Sequence, residues 1–445
     1  MKLHSIAFLC LILNLVSVRC AVADTWIPRP QVWVGMQGTH SGASIAVATT
    51  SAQNGNAGRL YVGSPYSDKG ALAGAGAVFI YDAVPGGWTP VATLFAALPK
   101  AGAHFGASLA YGSGHLMVGA PDYNDDGPGG FGAGAGYAEF LFDDGSTPPN
   151  IVSKRARTGT GGNFGSAIAV NIDMAAVSTV NAGGGNGCIS TFHYDLATDT
   201  WNNLPASNDV VCGSTGAALG SSLAILRTSA TSFLVVAGAP GESQNGNALA
   251  GAAHVYFPNP NASGGLLEVG TLAAQSPAFL DTFGTSVGID ANFVYVGATG
   301  RDNGVGRVGS VTIFKPAFII GYNYLGEYFP GAPATIGGHC GASLSVDSVN
   351  SEFILGCPDS TGTVANEGTA RVYRQFQFAG QPVWTESVLS FGNALHGADS
   401  LGKSVAIFGD HAFAGAPNYS FPPPQTGNGA WKEFVPDKIF RDGFQ

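Results

Sequence analysis

Charge is scarce in this chain. Of its 445 residues only 11% are Asp, Glu, Lys or Arg, where ordinary soluble domains carry about 25%. Lys and Arg number 19 against 29 Asp and Glu, a formal net charge of −10. A lysine-poor acidic surface disfavours nucleic acid and anionic lipid as partners. Beyond the N-terminus no segment is long and apolar enough to cross a membrane. Convincing helical patterns are missing, so no Gly-x-Ser-x-Gly stands at the strand-to-helix turn that a nucleophile elbow needs. Glutamate is sparse, which weighs against paired-carboxylate glycoside hydrolysis. The Arg-Gly-Asp order does not occur; Arg441-Asp442-Gly443 is a different sequence.

Glycine, in contrast, is abundant at 66 residues, beside 45% hydrophobic residues. Such a chain can bury a core while making many tight turns, as an all-β protein of short strands does. The N-terminus reads as a secretory signal: Lys2, an apolar run from Ile6 to Val18, and Ala21-Val22-Ala23 ahead of Asp24. Cleavage after residue 23 removes Lys2 and Arg19 and leaves a charge of −12.

Self-similarity is the strongest signal. One element is a residue pair, then Gly, then alternating small and apolar residues: His40-Ser41-Gly42-Ala43-Ser44-Ile45-Ala46, His104-Phe105-Gly106-Ala107-Ser108-Leu109-Ala110 and five more. Its glycines stand at 42, 106, 165, 220, 284, 341 and 402, spaced 64, 59, 55, 64, 57 and 61. A second element follows as Val62-Gly63-Ser64-Pro65, Val118-Gly119-Ala120-Pro121, Ala237-Gly238-Ala239-Pro240, Val296-Gly297-Ala298-Thr299, Leu355-Gly356-Cys357-Pro358 and Ala414-Gly415-Ala416-Pro417. In the third repeat it has decayed to Val177-Ser178-Thr179. A third element runs from Gly into an aromatic strand, as in Gly76-Ala77-Val78-Phe79-Ile80-Tyr81. Each unit is therefore strand A, a turn, strand B ending in Gly-Ala-Pro, a loop, strand C and a variable strand D, with Trp88, Trp201 and Trp384 opening D strands. Four strands repeated radially make a propeller blade. A linear β-solenoid, the alternative, normally has shorter repeats. The seventh repeat has A (Ser404 to Phe408), B (His411 to Gly415) and C (Trp431 to Val435) but too few residues for D. Trp26 to Val34 supplies the missing strand, which closes the ring and removes an exposed edge. The expected architecture is all-β: a seven-bladed β-propeller over residues 24–436 with four-stranded antiparallel blades, preceded by the 1–23 leader and followed by a 437–445 tail.

Phe-Gly, then Gly-Ala-Pro, then Gly-Ala before an aromatic strand resembles the FG-GAP repeat family, found in the integrin α-subunit head propeller and in many bacterial exported proteins. Seven copies in register span about residues 26–435. The resemblance implies seven blades.

Cys10 and Cys20 go with the leader, and four cysteines remain. An even number in an exported chain suggests disulfides. In an A–B hairpin the Phe of Phe-Gly faces the Ala of Gly-Ala-Pro; Phe105 and Ala120 have their midpoint at Gly112-Ser113, and Phe283 and Ala298 at Asp290-Ala291. In repeat six both positions are cysteine, Cys340 and Cys357, and directly opposed residues can be bridged. Cys188 opens strand C of blade three and Cys212 lies after its strand D, so a C–D hairpin brings them together; two buried free thiols are the alternative.

The FG-GAP resemblance implies calcium between strands A and B, but here those turns are short and poor in carboxylates. Calcium, the only cofactor the sequence offers, would instead use the B–C loop of blade two, where Asp122, Asn124 and Asp126 alternate as oxygen ligands ahead of Gly127. The closing glutamate is missing, Ala133 standing in its place, and an acidic solvated turn is the competing reading. His40, His104 and His339 occupy one repeat position, filled by Asn163 and Ser400 elsewhere; symmetry spreads them around the axis, which argues for polar turn residues over a His₃ site. Ser44 and Ser108 read as small packing residues. Asn261-Ala262-Ser263 matches a glycosylation sequon, and the Ile439 to Gln445 tail is like a sorting tag or a frayed end.

The expected function is an exported, non-catalytic binding or adhesion module, secreted or at the cell surface, whose partner is an extracellular protein or glycan. Long B–C loops crowd one face, with Tyr66, Tyr123, Phe131, Tyr419 and Phe421 as aromatic contacts. The alternative is a polysaccharide hydrolase or lyase with its site at the channel mouth.

Overall fold

Each repeat folds into one antiparallel sheet with its strands in chain order A-B-C-D, and seven such sheets form a seven-bladed β-propeller. The computed structural model describes residues 26–436 except 49–57, 128–131, 147, 159–160, 204–209, 230–231, 259–264, 318–320, 332–334, 348, 363–365, 379, 391–397 and 421–426. The leader, the tail and the sequon at Asn261 fall outside the described residues. The A strands touch in cyclic order, and the last of them (Ser404–Phe408) packs against the first (Ser44–Ala48). Blade seven takes its outer strand from the start of the chain: Trp26–Val34 pairs antiparallel with Ala430–Pro436, Ile27 opposite Val435 and Trp33 opposite Trp431.

The repeat residues hold the blades together. Six serines at one A-strand position donate to the carbonyl of the next blade's Phe-Gly glycine: Ser44 to Gly106, Ser108 to Gly165, Ser222 to Gly284, Ser286 to Gly341, Ser343 to Gly402 and, across the closing seam, Ser404 to Gly42, all at 2.7–2.9 Å. Ser44 and Ser108 are therefore hydrogen-bonded clasps as well as small residues. The glycine of Gly-Ala-Pro lies against the same carbonyl. A Cβ on Gly415 would stand 2.1 Å from Gly42 O, and one on Gly63 would stand 2.0 Å from Gly106 O, closer than any side chain permits. In blade three the two residues are exchanged: Ala167 replaces the A-strand serine, Ser178 replaces the B-strand glycine, and Ser178 Oγ accepts from Ala167 N at 2.8 Å. The decayed third repeat thus keeps a hydroxyl at the joint.

The hairpin register differs in detail from the midpoint argument. Phe283 does face Ala298, but the next pair is Ser286 with Gly297. Gly284 and Thr285 are extra residues on strand A, a bulge at Gly284 with φ +94°. The bulge turns the glycine carbonyl toward the neighbouring blade. It also moves the turn one residue along: Gly112 pairs with His115, and Ser113 and Gly114, both at positive φ, form the tip as type I′ hairpins require.

Both disulfides are present. Cys340–Cys357 joins the segment just before strand A (Ser343–Asp347) to the last residue of strand B in blade six, and Cys188–Cys212 bridges directly opposed residues in blade three. Cys212 lies within strand D rather than after it. That strand is split into Thr200–Asn203 and Val210–Cys212, both paired with Cys188–Asp195. The bond fastens the second half.

Candidate functional site

In a propeller the D–A and B–C connections share one face, and the A–B and C–D turns share the other. On the first face, the residue two before each Phe-Gly glycine sits in the left-handed region in every blade: His40, His104, Asn163, Ala218, Thr282, His339 and Ser400, with φ between 49° and 64°. Small hydroxyl and amide side chains tolerate it better than branched apolar ones. Most of these residues pair with a residue one or two positions past the end of strand B in the same blade. His104 Nδ1 donates to Asp122 at 2.7 Å, His339 Nδ1 donates to Asp359 at 2.6 Å, and Asn418 donates to Ser400 Oγ at 2.9 Å. Thr282 meets Thr299 at 2.8 Å, and Asn181 donates to Asn163 at 2.6 Å. In blade one the pair is His40 and Tyr66, and the Tyr66 ring also meets His104 of the next blade, with centroids 4.8 and 4.4 Å apart. The mouth of the central channel is thus ringed by dissimilar polar pairs. A cavity of about 470 Å³ opens among them, bounded by His40, Tyr66, Asp359, Ser400, Lys403 and Asn418.

Adjacent-blade His40 and His104 are brought together by Tyr66, while His339 is held by its own aspartate. Among the described residues no group of three or more His, Cys, Asp or Glu is arranged to hold a metal. The blade-two loop pulls its three oxygen-bearing residues apart. Asp122 accepts from His104 and from Asn163 Nδ2 (3.0 Å), Asn124 Oδ1 accepts from Gly134 N (2.9 Å), and Asp126 lies 3.6 Å from Lys100 Nζ. As placed, these residues do not fit a calcium ion, and no chemistry is derived through one. Of the aromatic contacts expected here, Tyr66 is exposed, Tyr419 is half-buried against the core of blades six and seven, and Tyr123 is buried and stacked on Tyr137 at 5.0 Å. Tyr123 is therefore core, because its loop folds back under Lys100. Phe131 and Phe421 fall outside the described residues.

The same face carries apolar residues that repeat reasoning missed: Met36, Leu98, Phe279 and Ile336 on D–A loops, and Val305 on a B–C loop, between 53% and 82% exposed. Arg307 stiffens this region, donating to the carbonyls of Phe279, Leu280 and Gly300. These loop residues follow no repeat pattern, so only their lone hydrophobicity in polar surroundings marked them.

Two buried groups titrate abnormally. Burial, with Glu367 nearby, pushes the Asp399 carboxyl up to about 7. Burial beside Phe142, Tyr194 and Trp201 pulls His115 down to about 4; Lys154 acts in the same direction, and Asp173 and Asp199 oppose it. The two slopes have opposite signs. Asp399 keeps its proton in the fold where the unfolded chain loses it, so its contribution falls as pH rises from about 4 to 7. His115 resists its proton, so its contribution is lost as pH falls from about 6.5 to 4. Asp399→Asn is expected to stabilise the protein by about 2–4 kcal/mol at pH 8 and hardly at all at pH 4. His115→Phe should blunt the acid-side loss. Urea midpoints measured across pH 4–8 check both, and parallel profiles for wild type and variants would contradict the assignments.

Comparison with protein-family models and with curated proteins gives no match. The fold and the face geometry are therefore what bear on function.

Proposed function

We propose that this is an exported, non-catalytic binding or adhesion module of the FG-GAP type, acting at the cell surface or outside the cell, with an extracellular protein or glycan as its ligand. The observation that carries this reading is the mouth face. Its polar pairs differ from blade to blade, two of its carboxylates, Asp122 and Asp359, are each engaged by a separate histidine, and exposed apolar side chains lie on the same face. Unlike loops on a rigid scaffold suit recognition, and exposed apolar residues beside polar ones are what protein interfaces use. Two disulfides, and the absence of any helix among the described residues long and apolar enough to span a membrane, support the exported setting.

One observation favours the alternative, a polysaccharide hydrolase or lyase: Asp399 and Glu367 are interacting carboxylates, one of them poised near neutral pH. Both are buried, 2% and 0% exposed, which separates them from any polymer at the mouth. The test is a glycan and matrix-protein array probed with wild type, with Tyr66→Ala/Phe279→Ala on the mouth face, and with Leu196→Ala/Val349→Ala on the opposite face. The proposal expects a bound ligand whose signal drops at least tenfold in the first variant only. Equal loss in both variants, or release of soluble sugar from an arrayed polysaccharide, would count against it.

A further inference from the structure

The mouth cavity of about 470 Å³ spans the closing seam of the ring. Asp359 of blade six, Lys403 and Asn418 of blade seven and Tyr66 of blade one all border it. It shares no lining residue with the axial lumen, a separate space of about 320 Å³ among the A strands. Its size falls inside the range of small-molecule sites, about 300–1,000 Å³. Its inner wall is built by Pro65, Pro358 and Pro417, the buried prolines that follow strand B in blades one, six and seven.

The groups around that wall have hydrogen-bonding capacity to spare. Asp359 uses Oδ2 to accept from His339, and its Oδ1 has no partner among the described residues. Ser400 Oγ accepts from Asn418 Nδ2, so the serine hydroxyl keeps its own proton to donate, and Asn418 keeps its amide oxygen to accept. Lys403 is the one cation of the Lys or Arg type at the cavity. Its side chain is exposed, and among the described residues its ammonium has no carboxylate partner, in a chain with a net charge of −10. The Tyr66 ring is 48% exposed, and His40 and His104 fix its orientation from two sides.

These groups call for a ligand with several hydroxyls, an anionic group and a C–H face. A pyranose offers hydroxyls that both donate and accept. Its axial C–H bonds suit the negative face of an aromatic ring. A carboxylate on the sugar supplies the charge that Lys403 lacks. An acidic peptide would also meet Lys403, but it brings no array of hydroxyls for Asp359, Ser400 and Asn418.

We propose that the mouth cavity binds one carboxylated sugar residue of a glycan. Its carboxylate lies on Lys403, its hydroxyls on Asp359, Ser400 and Asn418, and its ring on Tyr66. The proposal rests on the binding-module reading above and names the ligand class of that face.

The test is titration of the purified protein, followed by calorimetry and saturation-transfer NMR. The probes are the methyl glycosides of glucuronate, galacturonate and N-acetylneuraminate, the methyl ester of each, and an acetylated, amidated Ala-Glu-Ala peptide. Saturable one-to-one binding of at least one sugar acid is expected, about tenfold tighter than its uncharged ester, as loss of a charge-assisted hydrogen bond implies. Lys403→Gln should bring the acid down to the level of its ester and leave the ester unchanged. Tyr66→Ala should weaken acid and ester alike. Both side chains are exposed, and thermal midpoints equal to wild type would show that the variants are folded. Absence of saturable sugar binding at millimolar concentration, equal binding of acid and ester, or binding by the peptide alone would overturn the proposal. An array ligand that binds Lys403→Gln as it binds wild type but is lost in Phe279→Ala would overturn this site and leave the binding module standing.

Discussion

Arg59→Ala is expected to cost about 3–5 kcal/mol, the usual penalty for leaving buried charges without their partner. Arg59 is 3% exposed on strand B of blade one. Its Nε and Nη2 donate to Asp82 at 2.6 and 3.0 Å, its Nη1 donates to both oxygens of Asp143 in blade two at 2.7 and 2.9 Å, and Nη2 also reaches Ser146 O at 2.7 Å. Tyr61 donates its hydroxyl to Asp143 as well. Burial by itself would lower the guanidinium's pKa, but the hydrogen bonds and charges of Asp82 and Asp143 outweigh it and raise the value. Removing the arginine strands two carboxylates between two blades. Chemical denaturation should show a lower midpoint with little dependence on salt, because a buried pair is poorly screened. Adding Asp82→Asn and Asp143→Asn should recover part of the loss by removing the stranded charges. A change under about 1 kcal/mol would place this network among exposed, weakly coupled pairs.

The second large effect is expected from deleting residues 24–36. Six paired positions along Ala430–Pro436 lose their partner strand, at about 1 kcal/mol for each hydrogen bond lost. Trp26, 7% exposed in the core beside Val405 and Phe434, contributes about 2–3 kcal/mol more through burial. Ordering entropy offsets part of this, but the deletion also bares a sheet edge, and an open edge templates association. A thermal midpoint about 10 °C or more lower and soluble oligomers on size-exclusion chromatography are the expected readouts. A monomer melting within a degree or two of wild type would mean that blade seven does not need its borrowed strand.

The fold was legible because repetition multiplies weak signals. One Gly-Ala-Pro is uninformative, but seven phased repeats expose strand order, the shortage of a strand in repeat seven and the facing cysteines of repeat six. The bulge at the Phe-Gly glycine was not legible, since it leaves the residue pattern intact and shifts only the register. The serine clasps were hidden for a related reason: a serine next to glycine in a strand reads as packing until the neighbouring blade's carbonyl is placed 2.7 Å away. At the mouth, repeat equivalence put His40, His104 and His339 on one ring, but their partners Tyr66, Asp122 and Asp359 come from another loop of each blade. Only three-dimensional closure joins those loops. Tyr123 shows the limit in the other direction. It belongs to the expected loop, yet it is core because Tyr137 beneath it offers a stacking surface.

Mouth, lumen and clasps all require that the blades share one axis and that first and last meet. A double variant, Ile27→Cys/Val435→Cys, places two thiols at directly opposed positions across the closing seam, where a disulfide can form without backbone movement. Mass spectrometry of the mildly oxidised protein is expected to show a near-quantitative 27–435 link within monomers. Free thiols at both positions, or links only between molecules, would contradict closure of the ring.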